Sequence, residues 1–184
     1  MNATAAPDME RVRQAGLFDA ALLAEMHRLI FTAPWDQPWS AESLAQILAM
    51  PGAAGWVLER GAEPIGFVLA RFTLDEGEIL LTGILPAARG QGCGGRLMQA
   101  AIAAARKAGV SRLFLEHAEP NQAAGALYRS LGFAPIGRRA GYYRAPGGMG
   151  AGGRAAGGRA ADAITLALEL PRPKVVDPSR SGAP

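Results

Sequence analysis

The chain has 184 residues, 49% of them hydrophobic and 19% charged, with a formal net charge of +3 at neutral pH. This size and composition suit one domain with a real core, and so mild a positive charge gives no reason to expect specific nucleic-acid binding. The single cysteine, Cys93, excludes an intrachain disulfide, and no apolar stretch reaches the roughly 18 residues that a membrane-spanning helix needs.

Residues 1–9 read as a flexible N-terminus. They hold no basic segment followed by an apolar one, so no signal peptide is expected and a cytoplasmic protein is the default. Residues 10–14 suit a short edge strand. Residues 19–31 read as a helix capped by Asp19, with Leu22, Leu23, Met26, Leu29 and Ile30 on its apolar face. A Pro/Trp-rich loop, 32–39, leads to Ser40, which caps a second helix with Glu42 in its first turn and Leu44, Ile47 and Leu48 facing inward. Pro51 and Gly52 end that helix. Three strand-like runs follow, 55–60, 64–72 and 78–85, and the short turns at 61–63 and 75–77 predict an antiparallel meander. A helix then runs from about 94 to 108, with Leu97, Ala101 and Ala104 on one stripe.

A strand at 113–118, a helix at 122–131 closed by Gly132, and a short strand at 133–137 come next. The glycine-rich stretch 145–158 reads as a flexible loop, since glycine makes ordering costly and offers no side chain to bury. Residues 162–170 return as a strand. The proline-punctuated stretch 171–184 reads as a disordered tail. The order over 10–170 is β-α-α-β-β-β-α-β-α-β-β, which predicts a single α+β domain: a mixed, mostly antiparallel sheet flanked by helices.

Residues 78–96 hold the strongest functional signal. An apolar run ends at Pro86, Arg89-Gly-Gln-Gly92-Cys-Gly94 follows, and a helix opens. A glycine turn feeding a helix start is an anion site, because the first helical N–H groups are unpaired and glycine lets a phosphate come close. The glycine spacing from Gly90 to Gly95 resembles a nucleotide-triphosphate loop, but Arg96 and Leu97 stand where that loop needs Lys and Ser/Thr. Gly90-x-Gly92-x-x-Gly95 also matches a dinucleotide fingerprint, with Glu116 at a ribose-binding distance. Against that reading, Pro86 to Arg89 separate strand from glycines, a meander precedes the motif, and too little chain follows for a doubly wound sheet.

The third possibility is coenzyme A. Arg89-Gly-Gln-Gly92-Cys-Gly94 fits the Arg/Gln-x-x-Gly-x-Gly/Ala loop of the GNAT acyltransferase superfamily, with Ile84-Leu-Pro86 before it and Asn121…Ala126-Leu-Tyr128-Arg-Ser-Leu-Gly-Phe133 after it. Over about 10–144 and again 162–170 the chain resembles that superfamily. Within it, Pro38-Trp39-Ser40, Leu115-Glu116, Asn121, Leu127-Tyr128 and Arg138-Arg139…Tyr142-Tyr143 are most similar to RimI-like protein N-terminal alanine acetyltransferases. The resemblance implies a GNAT-like fold and acetyl-CoA as co-substrate, with no metal. It implies cofactor contacts from Gly83, Ile84 and Leu85, from Arg89, Gly90, Gln91, Gly92, Cys93, Gly94 and Gly95, and from Asn121. It gives Glu116 the role of general base and Tyr128 that of the acid protonating the departing sulfur.

The residue types suit those tasks. A carboxylate in a narrow cleft can be made basic by desolvation. A tyrosine, protonated at neutral pH, can donate to a thiolate. Gly83 within a strand is read as a bulge that splays its strand from that of Glu116, freeing N–H groups for the thioester oxygen. Glu78 is a rival base, in the place used by the histone acetyltransferase branch. Cys93 is read as a small apolar residue, and His27 and His117 as structural, with His117 facing away from Glu116.

The expected acceptor is a protein or peptide N-terminal amine, with a ribosomal protein possible. A small-molecule amine, or a CoA-binding module without turnover, remains as an alternative. Trp35, Trp39, Tyr142 and Tyr143 can line an acceptor groove, and Asp75, Glu76, Glu78, Glu116 and Glu119 can draw a cation. Arg138, Arg139, Arg144, Arg154 and Arg159 form a basic run read as a solvated loop.

Overall fold

The computed structural model describes residues 9–33, 36–144 and 160–171. The expectations for residues 1–8, for Trp35, for the glycine-rich stretch 145–158 and for 172–184 fall outside them. The observed elements are β1 (Glu10–Ala15), α1 (Ala20–Ile30), α2 (Ala41–Leu48), β2 (Ala53–Arg60), β3 (Glu63–Thr73), β4 (Glu76–Ile84), α3 (Cys93–Lys107), β5 (Arg112–Ala118), α4 (Gln122–Ser130), β6 (Ala134–Arg144) and β7 (Ala160–Glu169). This is the predicted order, with 3-10 turns added at Leu17–Asp19 and Pro86–Ala88.

The seven strands form one sheet in the order β1-β2-β3-β4-β5-β7-β6. Only β4 and β5 run parallel, and they pair only where Glu76–Ile79 faces Arg112–Leu115. Past that point β4 continues to Ile84 beside β3 alone, and β5 continues to Ala118 beside β7 alone. The sheet therefore opens into a V between its two halves.

The opening follows from a bulge, but not at the predicted place. Leu69 pairs with Leu81 and Ala70 with Ile79, so Leu80 is the extra residue, while Gly83 pairs regularly with Phe67. One extra residue reverses which face later side chains meet. Ile79 packs in the core under α3, whereas Leu81 packs in the core under α1 and α2. Gly83 serves the other purpose of a strand glycine, close approach. A Cβ there would stand 2.6 Å from Ile30 Cγ2 and 3.2 Å from the Phe31 ring. Gly83→Val is expected to cost about 2 kcal/mol by forcing α1 off the sheet. For a chain of this size that lowers Tm by about 4–8 °C, readable by calorimetry.

The sheet separates two cores. Leu23, Met26 and Ile30 of α1 and Leu44 of α2 pack on Val57, Phe67 and Leu69. On the opposite face, Leu97, Met98, Ala101 and Ala105 of α3 and Tyr128 of α4 pack on Leu58, Val68, Leu113, Leu115 and Leu166. Ser40 caps α2 as expected, its Oγ accepting from the Ser43 N–H at 3.1 Å. Asp19 does not cap α1 with its side chain. Its carboxylate instead accepts from the Gly16 N–H and from Arg13, which closes the preceding 3-10 turn and holds the carboxyl below its usual range, Arg13 contributing most.

Leu29, predicted to be inward, is exposed, and His27 is buried in its stead. His27 stacks on Phe31 at 4.3 Å and beside Trp39 at 6.0 Å, and its Nδ1 has no hydrogen-bond partner among the described residues. Burial lowers its pKa from 6.5, with Asp36 opposing. The folded imidazole thus stays neutral while the unfolded chain takes up a proton. Stability is expected to be complete above about pH 6.5 and to fall as pH drops towards the folded value. Denaturant unfolding between neutral and mildly acidic pH tests this, and His27→Phe should flatten the loss.

β6 runs to Arg144, well beyond the predicted 133–137. It is an exposed edge strand, so no inward-facing apolar alternation marks it. Its pairing with β7 is broken twice, the second time between Arg139 and Tyr143. Gly141, at φ 61°, donates its N–H to Asp162 Oδ1 at 2.7 Å, and Arg138 binds the other Asp162 oxygen at 2.6 Å. That bulge turns Arg139 and Tyr142 towards the mouth of the V.

Candidate active site

The two rival carboxylates, Glu116 and Glu78, lie on the two strands that part at the fork. Leu115 is the last β5 residue paired to β4, so Glu116 is the first one past the fork. Leu113 and Leu115 face α3, so alternation places Phe114 and Glu116 on the face of α1 and α2. There they line a cleft of about 470 Å³ together with Glu76 and Glu78 of β4, Arg139 and Tyr142 of β6, and Thr165 of β7. Thr165 Oγ1 donates to Glu116 Oε1 at 2.9 Å, and Arg139 Nη1 lies 3.4 and 3.3 Å from the two carboxylate oxygens. Glu78 shares the cleft but sits within the paired section, opposite Phe114.

Tyr128 is approached from the other face. Its ring is buried against His117 at 5.8 Å and Phe133 at 6.0 Å, and its hydroxyl forms no hydrogen bond among the described residues. Burial raises its pKa, with Tyr143 adding to the effect, so the phenol keeps its proton far above neutrality. His117 faces away from Glu116, as strand alternation required, with Nδ1 2.9 Å from the Ala118 carbonyl. Tyr143 links the two sides electrostatically. Its own pKa is pushed up to about 12 by burial and then by the charge of Glu116.

The glycine turn lies at the end of β4. Gly90 and Gly92 are left-handed, at φ 74° and 78°, with nothing within 4 Å of a would-be Cβ. Gly92 is the N-cap of α3 and supplies no side chain, so the N–H groups of Cys93, Gly94 and Gly95 open the helix uncapped. Open glycine backbone and unpaired N–H groups fit a phosphate. Gly94 has a second use, since a Cβ there would stand 3.0 Å from Leu127 of α4.

Three expected cofactor contacts are engaged within the protein. Arg89 donates to the carbonyls of Ile84 and Ile30, both at 3.1 Å, tying the turn to β4 and α1. Gln91 donates to the Ala87 carbonyl at 3.0 Å and accepts from Arg60 at 2.6 Å. Asn121 caps α4, accepting from the Ala124 N–H at 3.1 Å. Leu85 donates its N–H to Ile65 and accepts from Ala88, so only its side chain is available. The Cys93 thiol is buried behind the turn, 3.8 Å from Glu10, whose carboxylate also pairs with Arg60 at 2.7 Å and with Arg96.

The family of acetyltransferases described as GNAT matches residues 21–133. The chain belongs to this GNAT family. The N-alpha-acetyltransferase RimI of Mycobacterium tuberculosis is 35% identical over 133 residues, spanning 70% of this chain and 81% of that one. The crystal structure of the ribosomal-protein-S18-alanine N-acetyltransferase from Escherichia coli matches with a TM-score of 0.76 at 25% identity, covering 91% of this chain and 98% of that one. Arabidopsis thaliana NAA60 solved with acetyl-CoA shares the fold, at a TM-score of 0.71 and 18% identity, over 88% and 99% of the two chains. As a GNAT acetyltransferase, this protein uses acetyl-CoA as its co-substrate. Among the described residues no helix is long and apolar enough to cross a membrane.

Sequence reasoning missed Thr165 and the partner of Arg139. The basic run is no solvated loop at its described start: Arg138 pairs with Asp162 and Glu119, and Arg139 with Glu116. These partners lie 19 to 24 residues away across strands, so no local pattern announces them. Trp39, a candidate groove residue, packs instead into the core of α1 and α2.

Proposed function

We propose that this GNAT enzyme moves the acetyl group of acetyl-CoA to the α-amine of a protein N-terminus, with a ribosomal protein as the leading acceptor class. One observation carries the assignment of roles. Glu116 is the first β5 residue beyond the fork, and Tyr128, packed on the other face of the sheet, keeps its phenol protonated and without a hydrogen bond among the described residues.

In this reading the open turn at Gly90 and Gly92 and the N–H groups of Cys93, Gly94 and Gly95 take the pyrophosphate. Ile84, facing away from β3 on the open side of β4, presents its backbone N–H to the pantetheine arm, while Gly83 stays paired with Phe67 and keeps α1 close behind it. Leu85 lines it, and Arg89, Gln91 and Asn121 hold the shape of the walls. The acceptor enters over Tyr142 and Tyr143. Its nitrogen attacks the thioester carbonyl carbon, and its proton passes to Glu116, directly or through water. β4 N–H groups stabilise the oxyanion. The C–S bond then breaks, and the thiolate takes the Tyr128 proton.

An α-amine, with an ordinary pKa near 8, is partly neutral at neutral pH, whereas a lysine amine near 10.4 is almost wholly charged, so a single carboxylate base suits the former. The relatives named for RimI and for ribosomal protein S18 support the same acceptor class, and with it a cytoplasmic location. Residues 10–170 would act as one domain. The test is thiol release from acetyl-CoA against a panel of amines. Peptides starting with alanine or serine should turn over. Turnover confined to polyamines or amino sugars, or CoA binding without thiol release, would overturn the acceptor or the activity respectively.

A further inference from the structure

Arg139 stands where an incoming amine must go. A guanidinium that pairs strongly with a carboxylate does so with two nitrogens in a fork, at about 2.7–2.9 Å. Here a single nitrogen, Nη1, straddles both Glu116 oxygens at 3.4 and 3.3 Å. One nitrogen bridging two carboxylate oxygens is the geometry of an ammonium. The contact is long, and the Arg139 side chain is 55% exposed. The guanidinium has a second anchor, since its central carbon lies 3.9 Å from the centroid of the Tyr142 ring. Glu116 likewise has a second anchor in the Thr165 hydroxyl at 2.9 Å. Each partner is therefore held in place without the other.

We propose that Arg139 is an internal stand-in for the acceptor's ammonium: it occupies Glu116 in the empty enzyme and yields that carboxylate to a cationic acceptor while staying stacked on Tyr142. The inference rests on the reading that Glu116 meets the acceptor amine. It makes Arg139 a specificity-determining residue. An acceptor that brings its own positive charge to Glu116 replaces the one it displaces, whereas a neutral group leaves the carboxylate without a counter-ion. The bulge held by Asp162 through Gly141 and Arg138 keeps Arg139 at this point.

The test compares two short peptides on CoA-loaded enzyme by fluorescence anisotropy. One starts with a free alanine amine, and the other is the same peptide already N-acetylated. In Arg139→Gln the free-amine peptide is expected to bind about three- to fivefold tighter, the worth of one exposed ion pair removed as a competitor. The acetylated peptide should bind as it does to the natural enzyme, and Arg139→Lys should restore the natural affinities. The gain should vanish when Glu116→Gln is added, because no carboxylate is left to contest. Unchanged or weaker binding of the free-amine peptide in Arg139→Gln, or an equal gain for both peptides, would overturn the proposal. The base assignment fails separately: Glu116→Gln with full turnover would remove Glu116 as base while leaving the binding comparison intact.

Discussion

Glu116→Gln is expected to lower kcat by roughly 10²- to 10³-fold, the usual worth of a general base. Its dissociation constant for acetyl-CoA should stay within about twofold, because the glycine turn proposed to take the pyrophosphate lies between β4 and α3, away from β5. Glutamine keeps the size of the side chain and an oxygen to accept from Thr165 Oγ1, so the fold should not feel the change. It removes the proton acceptor and the partner of Arg139. Glu78→Gln is the matched control. Glu78 lines the same cleft but lies in the section where β4 and β5 are still paired. Its loss should cost less than about threefold, as for an exposed charge at a rim. Steady-state kinetics with separate titration of the cofactor decides the pair. Near-natural turnover in Glu116→Gln with collapse in Glu78→Gln would move the base to β4.

Tyr128→Phe should show the complementary pattern of a large kinetic loss with no loss of stability. The ring is buried and the hydroxyl forms no hydrogen bond among the described residues, so deleting it leaves no partner stranded. Removing such a group is neutral or slightly stabilising. Phenylalanine retains the ring contacts with His117 and Phe133. The thiolate then leaves without a proton donor, and kcat should fall by roughly 10²-fold, within the range of a lost general acid. Because burial holds the phenol protonated well above neutrality, the natural enzyme should show no loss of this acid on the alkaline limb at ordinary assay pH. An unchanged kcat with a lowered Tm would make Tyr128 a packing residue only.

Much of the molecule was legible because local rules and the fold agree. Ser40 caps a helix, glycines 90 and 92 need left-handed backbone, and alternation along 113–118 sets Glu116 and His117 on opposite faces. Misreadings came where a residue type has two uses. Gly83 has the sequence mark of a bulge, but α1 packs where its Cβ would stand. The bulge fell at Leu80, which carries no mark of its own. By sequence, residues 75–77 read as the turn before β4. It is made by Leu74, at φ 56°, and Asp75, while Gly77 lies inside the strand, where a Cβ would stand 2.9 Å from both Leu113 and Phe72. Asp19 looked like a helix cap, and a cation six residues earlier claimed its carboxylate.

The sequence by itself determined the order of elements, the open glycine turn before α3 and the family chemistry, because each is written in neighbouring residues whose spacing fixes their geometry. Only the tertiary structure decided where β4 leaves β5, which carboxylate stands just past that fork, and that Arg139 and Thr165 meet it there. Those facts depend on strand register and on a bulge across a sheet, where partners distant in the chain are chosen by packing and not by any local preference.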